Sequence, residues 1–286
     1  MVSVQWFPGH MAKTRRLITE NIKLVDVVLE LADARVPESS RNPLLDELIG
    51  TKPRLLILAK KDLADEKMTT FWTKYYTERG IAVFPVNSVG ARHAKKAIIG
   101  EIRKLAQAVL ERRTKRGILN QTVRTMVVGI PNVGKSTLIN FLAGKGAAET
   151  GDKPGVTRGK QWIRLDRDVE LLDMPGILWP KIDDVEVGNK LAATGAINDL
   201  VFDMGELALW LIDWLVSNTP GSLSTRYKIS EEPAAHELLA QISKKRGFIK
   251  SGGEPDSEKG AIMIIDEFRA GKLGPVTMDM LPQQKD

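Results

Sequence analysis

The sequence GIPNVGKS, residues 129–136, lies near the middle of the chain and matches the pattern G-x-x-x-x-G-K-[ST]. An apolar run at 125–129 precedes it and a helical pattern at 137–142 follows it, which is the context that the pattern requires. Glycines let the backbone N–H groups of such a loop turn toward a phosphate, and the helix N-terminus adds its positive end. The stretch therefore predicts a phosphate-binding loop in an α/β domain.

The side chains of this loop have distinct expected roles. Lys135 is expected to reach the β- and γ-phosphates of a nucleoside triphosphate, and the Ser136 hydroxyl to ligate Mg²⁺. The nucleotide-binding residues predicted from this stretch are Asn132, Val133, Gly134, Lys135, Ser136 and Thr137.

A second motif, DMPG, follows another apolar run, VELLD. An aspartate at the end of a strand near the phosphate loop, here Asp173, is expected to hold Mg²⁺ through water, and Gly176 N–H to contact the γ-phosphate. The polar stretch GDKPGVTRG lies between the two motifs and contains Thr157. A threonine there is expected to close over the Mg²⁺ when the γ-phosphate is present, with Thr150 as the rival residue.

The part of the site that reads the base is predicted upstream, in the sequence LAKKD. The Asp62 carboxylate can accept hydrogen bonds from N1–H and N2–H₂ of guanine, a pair of donors that adenine lacks, while the Lys60 stem packs along the base. Ala59 stands where such loops usually carry asparagine, and the missing amide should cost roughly 1 kcal/mol of net hydrogen bonding. Asn87 and Ser88, after the next strand, are expected to offer a backbone N–H to guanine O6.

Buried strands are predicted at 25–32, 54–59, 81–86, 125–129 and 169–173. Short apolar strands that alternate with helices favour a mostly parallel sheet covered on both faces, with ligands at the carboxyl ends of the strands. The fold class is therefore α/β, with a nucleotide-binding domain at 1–180.

The character of the chain changes after this region. Helices are predicted at 185–194, 204–217 and 232–245, and the next run typical of a strand is AIMIID at 261–266. Residues 181–286 are therefore expected to form a second, mainly helical domain.

Composition limits the class of protein. The chain has 286 residues, 43% hydrophobic and 27% charged, and no cysteine. We expect a protein with no membrane partner, because no apolar run is long enough to span a bilayer and MVSVQWFPGHMAKTRR lacks the apolar core of a signal peptide. A cytoplasmic monomer is the expectation.

The basic residues are clustered. The net charge is +6, and the basic clusters lie at 11–16, 92–116 and 244–250. Each could be a solvated face, but three in one chain favour contact with nucleic acid. Further candidate contacts are Lys259, Arg269, Lys272 and the loop SSRNP at 39–43, which is expected to be exposed.

The base-reading loop precedes the phosphate loop, an order that resembles a circularly permuted GTPase. The stretches QWFPGHMAK, LADARVPESSRNP, GIPNVGKSTLIN, GDKPGVT, LLDMPGILWPK, ATGAI and the late KRG…SGG…D resemble the bacterial ribosome biogenesis GTPase A family. This resemblance implies GTP/GDP and Mg²⁺ as ligands, and the large ribosomal subunit, its rRNA and ribosomal proteins as partners. It also implies a late step of subunit assembly and an RNA-contacting C-terminal module.

The residue that activates water for hydrolysis is left open. Ile177 stands where related enzymes use a glutamine, and isoleucine cannot orient water. Asn132 could hold a K⁺ near the phosphates, or it could only shape the loop. His10 could position water, or it could be a packing or rRNA-contacting residue.

Three functions remain to be compared. The first is a GTPase whose hydrolysis is triggered by a large-subunit intermediate. The second is an rRNA-binding assembly factor for which the nucleotide is only a conformational ligand. The third, an ATPase or metabolic enzyme, is disfavoured by Asp62.

Overall fold

The computed structural model describes residues 8–87, 92–119, 121–144, 162–172, 182 and 184–280, with the backbone alone described for residues 8–14, 92 and 93. The chain divides into two compact units, Gln5–Lys181 and Ile182–Asp286.

The first unit alternates strands with helices, as the pattern of apolar runs predicts. Its described strands are β1 (Val27–Asp33), β2 (Arg54–Ala59), β3 (Ala82–Pro85), β4 (Val123–Gly129), β5 (Trp162–Asp166) and β6 (Val169–Leu172). Its described helices are α1 (Pro8–Ile22), α2 (Pro43–Ile49), α3 (Glu66–Glu78), α4 (Arg92–Lys115) and α5 (Lys135–Ala143).

Within the described residues these strands form one six-stranded sheet in the order β3-β2-β1-β4-β6-β5. All neighbours pair in parallel except β5 and β6, which are antiparallel. Strands β1, β2 and β3 follow one another from the centre of the sheet to one edge, and β4 then lies on the other side of β1. The strand of the phosphate loop is therefore central but fourth in the chain, as a circular permutation requires.

The five predicted strands are all present, and β5 is the strand that the sequence analysis missed. It is an edge strand of five residues, mostly half-buried or exposed, so it lacks the continuous apolar run by which the buried strands are recognised. By contrast, every residue of β1 is buried.

Apolar clusters fix the helices to the sheet. One cluster packs Ile18 of α1 and Leu45 of α2 against Val28 of β1 and Met126 of β4. A second packs Trp72 and Tyr76 of α3 against Ala32, Leu56 and Leu58. Leu29, Leu55 and Ile57 point to the other face of the sheet, because side chains alternate along a strand, and they too are fully buried. Helix α4 contacts β1, β2 and β4. The sheet is thus covered on both faces.

The loop that follows β1 does not match its sequence-based interpretation. SSRNP was expected to be exposed, but Ser39, Ser40 and Asn42 are 7%, 0% and 1% exposed. The Ser40 hydroxyl accepts a hydrogen bond from Asp33 N–H, and the Asn42 side chain caps α2 by accepting from Leu44 N–H. These local bonds satisfy polar groups that would otherwise need water, which is why a polar loop can be buried here.

In its described residues the second unit is helical. Its helices are α6 (Val185–Ala193), α7 (Met204–Asn218), α8 (Ser222–Tyr227), α9 (Ala235–Lys245) and α10 (Ser257–Arg269). The expectation of a strand at 261–266 was wrong, because this run lies inside α10. Asp256 caps that helix, and the buried positions Ala261, Ile264, Ile265 and Phe268 follow helical spacing.

Candidate nucleotide-binding site

The phosphate loop connects β4 to α5 at the carboxyl end of the central strand. Gly129 has φ 152°, and a Cβ on it would lie 2.7 Å from the Leu31 carbonyl oxygen, so only glycine fits beside β1. Asn132 and Gly134 also have positive φ, 54° and 109°, which curls the chain into a loop before α5 begins at Lys135. A helix N-terminus that follows such a loop presents backbone N–H groups and a positive dipole to an anion.

The lysine of this loop is held in place by the loop itself. Lys135 is only 9% exposed, and its ammonium donates to the Ile130 carbonyl at 2.7 Å and the Gly129 carbonyl at 3.3 Å. Ser136 and Thr137, in the first turn of α5, are exposed. The loop therefore combines a fixed cation with accessible hydroxyl groups, as phosphate binding requires.

The predicted base-reading loop lies beside the phosphate loop. Lys60 has a left-handed backbone, with φ 59° and ψ 36°, which ends β2 and starts a 3-10 turn over Lys61–Leu63 that carries the exposed Asp62. The Lys61 N–H donates to the Val86 carbonyl at 3.0 Å, which joins this loop to the one that follows β3.

A pocket lies between these loops and α5. It is lined by Ala59, Lys60, Val86, Asn87, Val133, Gly134, Thr137, Leu138 and Phe141. Five of these, Lys60, Asn87, Val133, Gly134 and Thr137, were predicted from the sequence. The other lining residues of α5, Leu138 and Phe141, were missed, although the spacing 134, 137, 138 and 141 places them on the helix face that Gly134 begins.

Lys60 connects three loops. Its ammonium donates to the Asn132 carbonyl in the phosphate loop at 3.2 Å and to Asp33 Oδ2, at the end of β1, at 2.9 Å. Arg35 holds the same carboxylate through two bonds, Nε to Oδ1 at 3.0 Å and Nη2 to Oδ2 at 2.7 Å. Asp33, the first residue of the DARVP sequence, therefore fixes Lys60, which lines the pocket.

The charge state of Asp33 follows from these neighbours. Burial alone would raise the pKa of its carboxyl, but the charges and hydrogen bonds of Arg35 and then of Lys60 outweigh burial and lower the pKa to about 2. The Asp33 side chain is 4% exposed and that of Arg35 is 2% exposed. A buried carboxylate between two cations is an ionised anchor at neutral pH. Sequence reasoning did not assign it, since its signal was only an aspartate at the end of a buried strand.

Comparison with known proteins shows which family has this arrangement of loops. A family model described as 50S ribosome-binding GTPase matches residues 124–246. The ribosome biogenesis GTPase A of Priestia megaterium is 46% identical over 280 residues, which is 97% of this chain and 97% of that protein.

The chain belongs to the ribosome biogenesis GTPase A family.

Solved structures agree with this assignment. A GDP-bound YlqF structure superposes with a TM-score of 0.71 at 27% identity, covering 92% of this chain and 98% of that one. The GNP-bound YlqF of T. maritima gives a TM-score of 0.67 at 26% identity, covering 93% and 97%. The family resemblance and the permuted α/β GTPase fold, both expected from the sequence, are thus confirmed.

Several predicted site residues of this family member lie outside the described residues. They are Ser88, Thr157, Asp173 and Gly176, together with Ile177. His10 lies in α1, but its side chain is not described. In the part of the chain that is described, no group of three or more histidine, aspartate or glutamate side chains could hold a metal ion. Ser136 is the predicted metal ligand that the structure describes.

The basic cluster of α4 is partly used inside the fold. Arg103 pairs with Asp166 at 2.6 Å and Asp168 at 2.5 Å, and Arg113 pairs with Asp26 at 2.6 Å. These two arginines fasten α4 to strand ends, so they are not part of an open nucleic-acid face. The exposed basic residues at the end of this helix are Arg112, Lys115 and Arg116.

One candidate RNA contact in the second unit is reinterpreted. Arg269 donates to the carbonyls of Ala192 at 2.9 Å and Ala193 at 3.3 Å, and pairs with Asp199 at 2.6 Å. The hydrogen bond from Arg269 is the main reason that the pKa of Asp199 is lowered. Arg269 therefore caps the C-terminal end of α6, and its guanidinium is bonded within the second unit.

Among the described helices, none is both long enough and apolar enough to cross a membrane.

Proposed function

We propose that this protein is a GTPase that binds the precursor of the large ribosomal subunit and supports a late step of its assembly. The subunit stimulates hydrolysis of GTP to GDP and phosphate, and hydrolysis acts as a release or checkpoint switch. The observation that carries this proposal is the site itself: Lys60 joins a base-reading loop to a phosphate loop in a chain related end to end to ribosome biogenesis GTPases.

Guanine selection rests on Asp62. Its exposed carboxylate stands on the 3-10 turn that Lys60 begins, beside the pocket that Asn87 and Val133 line. A carboxylate accepts from both N1–H and N2–H₂ of guanine, and adenine offers no such pair. Competition between GDP and ADP for the protein tests this selection directly. The hypothesis of an ATPase would require ADP to bind at least as well as GDP.

Ser136, Thr157 and, through water, Asp173 would hold Mg²⁺, and Gly176 N–H would contact the γ-phosphate. Ser136 fits this role because it is exposed next to the buried Lys135 at the start of α5, and oxygen ligands suit Mg²⁺. When bound, the ion neutralises charge on the phosphates.

Hydrolysis needs a group that orients the attacking water, which the Ile177 side chain cannot do. Two candidates are proposed, a K⁺ held by Asn132 and water positioned by His10. Asn132 is exposed on the positive-φ bend of the phosphate loop, where its amide oxygen is a suitable cation ligand. A stimulated rate that is equal in Na⁺ and K⁺ would exclude the first, and an unchanged stimulated rate in His10→Ala would exclude the second.

The partners follow from the same proposal. The protein contacts rRNA and ribosomal proteins of the large subunit, with residues 181–286 as the RNA-contacting module and 1–180 as the GTPase domain. It acts in the cytoplasm as a monomer. The exposed lysines and arginines at the end of α4 and in 244–250 supply affinity for phosphates without reading sequence.

The deciding experiment is single-turnover GTP hydrolysis in K⁺ buffer with and without purified large ribosomal subunits, with small subunits as the matched control. A rise of at least about 10-fold specific to large subunits is expected, since completing a site with one missing group gives about 10²- to 10⁴-fold. The second candidate function, an rRNA-binding factor for which GTP is only a conformational ligand, is favoured by Ile177. It would be supported by nucleotide-dependent subunit binding without any rise in rate.

A further inference from the structure

The loop that follows β1, called loop 34–42 here, is buried although its sequence is polar. Ser39, Ser40 and Asn42 are all buried, so their side chains do not offer the rRNA contact that the sequence suggested. The function proposed above gives this loop no role. Its hydrogen bonds show what it is connected to.

The start of the loop is bonded to the base-reading side of the nucleotide site. Ala34 N–H donates to the carbonyl of Ala59, the residue before Lys60, at 2.8 Å. Asp33, which precedes the loop and holds Lys60, donates its own N–H to the Ser40 hydroxyl at 2.8 Å. The position of Lys60 therefore depends on where the loop holds Ser40.

The far end of the loop is anchored by Arg41, the residue after Ser40. Its Nε donates to Glu30 Oε1 at 3.0 Å, and its Nη2 donates to Glu30 Oε2 at 3.3 Å and to Asp46 at 2.8 Å. The Glu30 side chain is 1% exposed and that of Asp46 is 50% exposed. Because water screens a half-exposed pair, the anchor is Glu30, in the strand that leads into the loop.

Glu30 is a costly residue for its position. β1 places Val28, Glu30 and Ala32 on one face of the sheet, and Val28 and Ala32 belong to the two apolar clusters that α2 and α3 cover. Moving a carboxylate and a guanidinium out of water offsets most of their attraction, so apolar side chains of similar size would stabilise this seam at least as well. Net stability is therefore a poor reason for an ion pair here.

A second restraint on the loop comes from α3. The Tyr76 hydroxyl donates to the Glu38 carboxylate and lies 3.2 Å from the Pro37 carbonyl oxygen. Burial, ahead of the Glu38 charge, raises the pKa of this hydroxyl, so it remains a donor at neutral pH. Arg41 lies 5.0 Å from the centre of the Tyr76 ring. The loop is thus held between β1 and α3.

We propose that Arg41 is a positioning residue for the nucleotide site, which holds loop 34–42 against Glu30 and thereby sets Lys60 and the affinity for guanine nucleotide. Arg41 is not among the residues that line the pocket, so it acts through Ser40 and Asp33. A buried ion pair that adds little stability can still fix a geometry. The inference rests on the proposed guanine site and adds a residue that keeps its loops in register.

The test compares Arg41→Lys with the matched control Arg54→Lys. Arg54 bonds to the same Glu30 at 2.9 Å and to the same Asp46, but it lies outside the loop, at the opposite end of β2 from Lys60. Lysine keeps the charge and loses the guanidinium geometry in both variants. In titrations with fluorescent GDP we expect affinity to fall about 3- to 10-fold in Arg41→Lys and less than about twofold in Arg54→Lys.

A double-mutant cycle shows whether Arg41 acts through Asp33. Arg41→Lys combined with Asp33→Asn should bind GDP no more weakly than Asp33→Asn alone, because the two changes break one path to Lys60. Urea unfolding shows that each variant is folded under the titration conditions. Equal losses of affinity in the two lysine variants, or additive effects in the cycle, would reduce Arg41 to a structural residue and overturn the proposal.

Ser40→Ala breaks the same path by removing one oxygen atom, and it serves if Arg41→Lys does not fold. Loss of the bond from Asp33 N–H is expected to weaken GDP binding about 3-fold. Unchanged affinity in a folded Ser40→Ala protein would also overturn the proposal.

The two proposals can fail separately. Wild-type protein that binds ADP as tightly as GDP would remove the guanine site, and the Arg41 comparison could still be made with either nucleotide. Wild-type preference for GDP with unchanged GDP affinity in Arg41→Lys would leave the guanine site intact and remove the positioning role.

Discussion

Lys60 Nζ donates to the Asn132 carbonyl oxygen at 3.2 Å, although the two residues lie 72 positions apart in the chain. This bond joins the loop that reads the base to the loop that holds the phosphates. The same ammonium is anchored to Asp33 at 2.9 Å, so the relative position of the two loops depends on a third loop at the end of β1.

Asp33→Asn should therefore weaken nucleotide binding without touching the nucleotide. The amide keeps the shape of the side chain but loses the charge that holds Lys60, a charged hydrogen bond worth about 1.5–3 kcal/mol. We expect GDP affinity to fall about 3- to 10-fold if a third to a half of that energy reaches the site. Fluorescent GDP titration measures it. Asp46→Asn, which removes a half-exposed carboxylate of the same unit, is the control and should bind GDP normally.

The stability of the first unit should depend on pH through the same residue. The pKa of Asp33 is about 2 in the folded protein, against an ordinary value of 3.8. A lowered folded pKa stabilises the protein above the unfolded pKa, and this contribution of about 2 kcal/mol is lost as the pH falls from about 4 toward 2. Urea unfolding should show a smaller gap between wild type and Asp33→Asn at pH 3 than at pH 6. An equal gap at both pH values would contradict the assignment.

Ala59→Asn should tighten guanine nucleotide binding. Ala59 ends β2 and lines the pocket, where the amide of an asparagine would add a hydrogen bond worth roughly 1 kcal/mol, or about 5-fold in affinity. Isothermal titration with GDP measures the change. Affinity equal to that of wild type would show that the base lies out of reach of position 59.

Asp62→Asn should change the base preference of the site from guanine to xanthine. Guanine presents an amino group at C2 and xanthine a carbonyl, so an amide in place of the carboxylate can donate to xanthine but leaves guanine donors unmatched. We expect GDP affinity to fall at least about 10-fold and XDP affinity to rise, measured by competition against labelled GDP. Loss of both affinities with an intact fold would place base recognition elsewhere.

Gly129→Ala should destabilise the first unit by about 1–3 kcal/mol, because the new Cβ would overlap the Leu31 carbonyl oxygen at the start of the phosphate loop. Gly100→Ala is the matched control. Gly100 lies inside α4 with nothing within 4 Å of an added Cβ, so this change should stabilise by about 0.5–1 kcal/mol. Chemical denaturation compares the two variants, and equal effects would contradict the steric argument.

The sequence alone determined the phosphate loop, the order of the loops and the class of the fold. These features are local: a buried parallel strand is a continuous apolar run, and a phosphate loop needs glycines and a lysine at fixed spacing. The edge strand β5 and the helix α10 were not recognised, because a half-exposed strand has no such run and AIMIID reads equally as strand or buried helix.

Only the tertiary structure decided which charges serve the site and which serve the fold. Arg103, Arg113 and Arg269 look like open basic residues in the sequence, yet each is bound to carboxylates or carbonyls of distant segments. Asp33 looks like the end of a strand, yet it anchors Lys60 from 27 residues away. A charge acquires its role from the groups within a few ångströms of it, and in a folded chain those groups come from segments whose separation no local pattern encodes.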